Sequence, residues 1–352
     1  MNPPKTIQSL QLLRGLAVTL VIVAHAIDSA AIFGHNYIAS FYHFENFGAI
    51  GVDIFFVISG VIMTVITADK SITAKQFFLR RCTRILPLYW AISIFCWIIS
   101  FTPFWPPVKF AEILETITVV PLFTSGYNAG PIIFLGWTLA FEFYFYLAFT
   151  AALFFTKKRP YIPVSIALFV FVIAGFVFPH NTEVHFKFLS NPIILEFLLG
   201  CICGHLYLGT VKIPNGVIYI CIVTGIALML YSIIYGFGNI SEEGYTWNGS
   251  LSFTRVIKWG IPSFLLVTGL VLLEKNNRLK VTPLLITIGN LSYSAYLSHI
   301  FCIMFAAALW RRSGIGIPEL FIVIAVIFSL AIAYLIYKFI EKPVTAYLNK
   351  SR

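Results

Sequence analysis

The stretch "RGLAVTLVIVAHA", residues 14–26, decides how this chain is read. It is an apolar run that opens on Arg14 and carries His25 next to its last position. An ionisable side chain inside a lipid span is costly and turns towards a protein interior or a water-filled cavity. At about 100° per residue, the steps from Arg14 to His25 return to within roughly 20° of one helix face, and at about 1.5 Å per residue the two stand roughly 16 Å apart along the axis. Two readings remain open. Either the stripe is the wall of a polar passage, or Arg14 snorkels to the headgroups while His25 is a neutral interfacial histidine.

Composition settles the class. Of 352 residues, 59% are hydrophobic and 11% charged, against about 25% charged in an ordinary soluble domain. Apolar stretches of about 20 residues, each long enough to cross roughly 30 Å of hydrocarbon, recur near 8–28, 46–67, 85–103, 132–155, 161–178, 188–208, 216–236, 255–273, 284–309 and 317–339. The expectation is an all-α polytopic membrane protein of about ten helices, a single transmembrane domain over residues 1–352 with no appended soluble domain. The net charge of +10 is distributed as a topology signal rather than as a nucleic-acid surface. Of the Lys and Arg residues in the connections and at helix ends, 17 fall on the side of the termini and 6 on the other, which predicts cytoplasmic termini. Lys5 and the "AHA" sequence resemble a cleavable signal, but an arginine within the apolar run is atypical of one. The six cysteines form no CxxC pair, so no metal site or disulfide framework is expected.

The remaining intramembrane polar residues supply candidates. In "GVDIFFVISG", Asp53 lies at a depth similar to His25 if the first two spans are antiparallel neighbours, where a carboxylate fixes one imidazole nitrogen and leaves the other as a base. Alternatively it caps its helix after Gly51. In "FFLRRCTRILPLYW", Arg81 and Arg84 share a helix face; guanidinium forks suit a polyphosphate, though simple positive-inside anchoring explains them equally, and Arg80 better. Glu142 in "GWTLAFEFYFYLAF" must be paired, protonated or hydrated, and Trp137 beside it fits an interfacial aromatic belt. His299 in "LSYSAYLSHI" reads as structural, Glu341 and Lys342 in "YKFIEKP" as interfacial anchors, and Glu196 has no assignable partner. The loop "GNISEEGYTWNGSLS", residues 238–252, offers Glu242, Glu243, Tyr245 and Trp247 to a glycan or merely covers the bundle.

The order RGLA, His25, GVDIFFVISG, RRxxRI-P-Y and GWTLxFE-x-x-FY, followed by LSYSAYLSH and EKP, resembles the acyltransferase-3 family of membrane acyltransferases, and within it the bacterial exopolysaccharide O-acetyltransferases. The resemblance implies a cytoplasmic acetyl-CoA (acyl-CoA) donor, no metal, an extracytoplasmic or lipid-linked polysaccharide acceptor, and residence in a bacterial inner membrane. Arg14 and His25 match the family's Arg-to-His pair, and Arg81 and Arg84 its RxxR pair. It implies that Arg81 and Arg84 bind the donor, that its arm passes Arg14 and that His25 receives the thioester; the residues' own placement adds His25 as the base, with Asp53 orienting it, and Glu142 as a further member of the catalytic set. A transporter of a lipid-linked sugar or small metabolite accounts for the same intramembrane charges, but it does not require the paired arginines. A non-catalytic scaffold is the third alternative.

Overall fold

A computed structural model describes residues 7–34, 47–68, 72–102, 106–119, 130–180, 183–235 and 249–350. All the regular structure among them is helical. In chain order the helices are α1 (Gln8–Ala30, extended by a 3-10 turn, Ala31–Phe33), α2 (Phe47–Ile66), α3 (Ala74–Ile99), α4 (Phe110–Thr118) and α5 (Gly136–Phe155). There follow α6 (Tyr161–Val177), α7 (Val184–Leu189), α8 (Leu195–Leu208, entered through the 3-10 turn Pro192–Ile194) and α9 (Asn215–Ile234). The last third contains α10 (Gly249–Arg255), which runs through a π-helical turn, Val256–Gly260, into α11 (Ile261–Lys275), then α12 (Pro283–Asn290), α13 (Ser292–Ser313), α14 (Pro318–Ile336) and, after a second π turn at Tyr337–Glu341, α15 (Lys342–Lys350).

Among the described residues nine continuous helical segments are long and apolar enough to span a bilayer. The shorter apolar helix α6 has 17 residues, at the lower limit of about 17–25 for a span. All ten expected spans therefore have a helix, and the chain is an all-α, multi-pass membrane protein. Several boundaries moved, the ninth span starting at Ser292 rather than near 284 and the tenth running to Lys350 rather than 339, and two bear on the polar residues. The third span starts at Ala74 rather than near 85, and the eighth at Gly249 rather than at 255. Thr73 fixes the first of these through a capping box: its Oγ accepts the Gln76 N–H while the Gln76 side chain accepts the Thr73 N–H, which satisfies two donors left open by the first helical turn.

Helix α1 is the hub and packs on α2, α11, α12, α13 and α14. Its open amino end is closed from a distance in sequence. The Glu274 carboxylate accepts the N–H groups of Gln8 (2.8 Å) and Ser9 (2.7 Å), favoured by the positive end of the helix dipole. Next along, Lys275 Nζ donates to the carbonyls of Leu206 (2.8 Å) and Gly209 (2.5 Å) at the carboxyl end of α8. Helices α2 and α8 cross closely because glycines meet. A Cβ on Gly60 would collide with the Phe197 carbonyl, and one on Gly200 with the Val57 carbonyl. With no hydrophobic effect between helices in lipid, close backbone approach of this kind drives association. Outward-facing Phe154, Phe155, Val170 and Ile327 remain exposed, as a lipid-facing shell requires.

At the Asp53 level the structure corrects the sequence reading. Asp53 does not meet His25. Its carboxylate takes two bonds from Arg255, Nε to Oδ1 at 2.9 Å and Nη2 to Oδ2 at 3.1 Å, and Nη2 also reaches the Ala49 carbonyl at 3.4 Å. Arg255 stayed hidden because the span was begun at that residue, whereas the helix starts six residues earlier and carries the guanidinium inward. Asp53, Arg255 and Glu196 are all at most 2% exposed, and Asp53 and Arg255 are electrostatic neighbours of Glu196. The absence of a side chain at Gly260 leaves the space that the Glu196 carboxyl fills.

Two outcomes follow for stability in detergent. Gly200→Val, which sets a branched side chain against backbone that cannot rotate away, is expected to cost at least the ~1–3 kcal/mol typical of overpacking, read as a lowered Tm. Arg255→Met leaves Asp53 buried without its cation and is expected to cost about 3–5 kcal/mol. In the double variant Asp53→Asn/Arg255→Met roughly half of that loss should return, whereas a surface-like pair would show additivity.

Candidate functional site

A cavity of about 80 Å³ opens within the bundle between α1, α2, α3, α5 and α13. Helix α1 contributes Arg14, α3 contributes Arg81 and Arg84, and α5 contributes Glu142. The sequence-predicted arginines and Glu142 therefore share one space. Arg14 and Arg81 are each only 8% exposed, while Arg80, one residue away, is exposed on the outer face. The earlier start of α3 explains this: Arg81 and Arg84 sit two turns inside the helix rather than at its mouth.

Partners divide unevenly over these groups. Glu142 Oε1 accepts Ser59 Oγ–H at 2.9 Å and the hydroxyl of Tyr146, one turn along α5. Arg81 lies over the Tyr146 ring at 6.0 Å from its centroid, and its Nε, though buried, makes no hydrogen bond to protein. Glu341, read from sequence as an interfacial anchor, is instead drawn to the site. Ser294 Oγ donates to its Oε2, and Arg14 and Arg84 are its electrostatic neighbours. The π turn ending at Glu341 is the kind of local irregularity that recurs at functional sites. Three guanidiniums thus face two carboxylates, one of which already accepts two hydroxyls. The surplus positive charge is what an anionic ligand requires.

The upper end of the cavity is walled by Val52, Phe55, Phe56, Thr138 and Tyr296. Tyr296 OH and Thr138 Oγ1 are 3.0 Å apart, and Phe55 meets the Tyr296 ring edge-on at 6.1 Å. The Tyr296 ring in turn lies 6.0 Å from that of His299, the neighbour of His25. His25 does not line the cavity; it packs against His299 with ring centroids 5.3 Å apart, its side chain 33% exposed. The nearest carboxylate oxygen to it is Asp28 Oδ2, 3.8 Å from Nδ1. Trp137 is half-buried and lies 5.8 Å from the Arg255 guanidinium, so it packs on the Asp53–Arg255 pair inside the protein. Glu242, Glu243, Tyr245 and Trp247 lie outside the described residues.

Sequence reasoning missed Ser59, Tyr146, Tyr293 and Tyr296 as lining residues. Periodicity carried a signal for three of them. Tyr146 is one helical turn from Glu142, and Tyr293 and Tyr296 are three apart on the face of α13 that also bears Ser292.

Comparison with known proteins now bears on this architecture. The acyltransferase domain of the acyltransferase-3 family matches residues 7–338. The exopolysaccharide production protein ExoZ of Rhizobium meliloti is 33% identical over 305 residues, 86% of this chain and 90% of the relative. The O-acetyltransferase OatA of Staphylococcus aureus is 24% identical over 98% of this chain, which spans 58% of that relative's length. The acyltransferase MdmB of Streptomyces mycarofaciens is 23% identical over 86% of this chain and 81% of its own. No solved structure matches. A family match that runs from the start of α1 to the last long helix leaves one conclusion: the chain belongs to the acyltransferase-3 family and is a multi-pass membrane O-acyltransferase.

Proposed function

We propose that this enzyme moves an acetyl group from cytoplasmic acetyl-CoA to a hydroxyl of an extracytoplasmic or lipid-linked polysaccharide, as one transmembrane domain in a bacterial inner membrane with both termini in the cytoplasm. The observation that carries the reading is the cavity whose lining holds Arg14, Arg81 and Arg84 against the one carboxylate Glu142, with Glu341 as a further electrostatic neighbour of Arg14 and Arg84. Guanidiniums hold phosphate oxygens bidentately and stay charged at any working pH, and the buried Arg81 Nε without a protein acceptor is a donor suited to such an oxygen. The names of ExoZ and OatA join exopolysaccharide production to O-acetyl transfer, and the lysine and arginine distribution supports an orientation with the arginine end of the bundle inside the cell.

In this reading the coenzyme phosphates rest on the arginines while the pantetheine arm extends up the cavity past Glu142 towards Tyr296. His25, roughly 16 Å above Arg14 along α1, acts as base on the acceptor hydroxyl, which attacks the thioester carbonyl directly. Tyr296 lines the cavity and its ring neighbours that of His299, so its ring moves aside as the acyl group arrives. Glu142 acts through the donor pocket, holding Tyr146 and Ser59 in place, and Asp53 acts as the fold lock of α2 rather than as the partner of His25.

The test is transfer of labelled acetyl from acetyl-CoA into polysaccharide by protein reconstituted in liposomes. Arg81→Ala and Arg84→Ala are each expected to raise KM for acetyl-CoA about ten-fold or more, since a hydrogen bond to a charged group contributes about 1.5–3 kcal/mol. His25→Ala is expected to abolish incorporation. Label still entering polysaccharide at the wild-type rate in His25→Ala would remove the proposed base, and a substrate carried across the membrane without acylation would favour a transporter.

A further inference from the structure

His299 was read from sequence as a structural residue, yet its surroundings single it out. It lies on α13 and is fully buried. Its Nδ1 is 2.7 Å from the Tyr296 carbonyl and 3.1 Å from that of Ala295. A carbonyl only accepts, so Nδ1 carries the proton and Nε2 the lone pair. That Nε2 is buried and meets no protein donor, and an unmet buried acceptor costs about 1–3 kcal/mol. The ring packed against that of His299 is His25, 5.3 Å away between centroids and tilted by 32°.

We infer that His299 is the positioning residue of His25: its Nε2 accepts a ring N–H of His25 and thereby leaves the lone pair of the other His25 nitrogen for the acceptor hydroxyl. The inference rests on the acetyl-transfer reading above. A base of this kind needs a fixed tautomer, and the carboxylate expected to supply it, Asp53, is held by Arg255. His299 is pinned by two carbonyls in a closed pocket. The His25 side chain is one-third exposed, and a centroid separation of 5.3 Å is compatible with an N–H···N bond of about 3 Å between the two rings. Asp28 is the weaker partner, because its Oδ2 is 3.8 Å from His25 Nδ1 and its side chain is 59% exposed.

The chemistry balances without another reagent. The hydroxyl proton passes to His25 as the hydroxyl oxygen bonds to the acetyl carbonyl carbon. The carbon–sulfur bond breaks, and His25 returns the proton to the coenzyme thiolate. The products are the ester and the free thiol, with both imidazoles neutral again and the N–H shared with His299 unchanged.

The test uses full-length protein in liposomes with labelled acetyl-CoA and, as acceptor, the producing cells' own exopolysaccharide after mild alkaline de-esterification. His299→Asn keeps a donor near the Nδ1 position and has no atom at Nε2. It is expected to lower kcat about ten-fold or more with KM for acetyl-CoA within about two-fold, inside the ~10²–10⁴ range that general bases contribute. His299→Gln extends an amide oxygen to the Nε2 position and should recover at least about a third of the wild-type kcat, consistent with an acceptor role. The inference is overturned by an unchanged kcat in His299→Asn, by a KM that rises in proportion, or by a loss in Asp28→Asn as large as in His25→Ala. Where His299→Asn fails to fold, judged by its Tm, the wild-type protein decides through ¹⁵N-histidine spectra: a single tautomer of His25 supports the pair, and a mixture overturns it. Wild-type protein that transfers no label, or His25→Ala that still does, instead overturns the acetyl-transfer reading itself.

Discussion

A guanidinium inside an apolar phase must be answered by something, and how each one is answered organises this molecule. Arg255 has a private partner. Two short bonds join it to Asp53, Glu196 presses on the same pair, and all three are sealed from solvent. Arg14, Arg81 and Arg84 are answered only in part, by Glu142 and Glu341, and the accepting capacity of Glu142 Oε1 is already used by Ser59 and Tyr146. A closed charge set of the first kind holds helices in register, because breaking it strands a buried ion. An open set on a cavity wall has unmet donors at hand for a ligand. The two groups use the same side-chain chemistry, and burial with or without a full complement of acceptors separates the lock from the binding site.

Rigidity of α1 ties the open set to the histidine pair. The helix is anchored at its first turn by Glu274 and surrounded by α2 and by α11 to α14, so the rise between Arg14 and His25 is fixed by the backbone rather than by a loop. Sites carried on packed helices keep their geometry better than sites carried on loops. The α13 helix supplies the opposing surface. Within two turns it presents Ser294 to Glu341, Tyr296 to Thr138 and His299 to His25. Both π turns adjoin polar contacts, one just after Arg255 and the other ending on Glu341. Such π irregularities within helices recur at functional sites.

Much of this was legible in the chain. Hydropathy alone finds all ten spans, because lipid forces the backbone into helices and demands length. Arg14, Arg81, Arg84 and Glu142, each picked out as a charge within or at the end of an apolar run, are brought together by the cavity, whereas His25, eleven residues from Arg14, is not among its lining residues. What could not be read was pairing across helices. Asp53 looked towards His25 because neighbouring antiparallel helices were the only contacts that sequence order implies. Its partner lies 202 residues away, on a span whose start was misjudged by two turns because the apolar run is preceded by a polar stretch. Glu341 and His299 were undervalued for a related reason: each matters through a residue on another helix, Ser294 or Arg14 for one and His25 for the other.

The wall at Tyr296 belongs to the same logic. A catalyst that joins substrates from opposite sides of a membrane needs an interior polar route, yet an unbroken polar route is a leak for water and ions. Water also competes for a reactive thioester, and a site that excludes it suppresses hydrolysis. Tyr296 answers both demands with one side chain. Its ring, backed by Phe55, lines the arginine cavity, while its hydroxyl is satisfied by Thr138. Its own carbonyl also receives the Nδ1–H of His299. In the proposed acetyl-transfer reading, a shift of this turn of α13 reaches the histidine pair through the carbonyls of Ala295 and Tyr296 that hold His299 Nδ1.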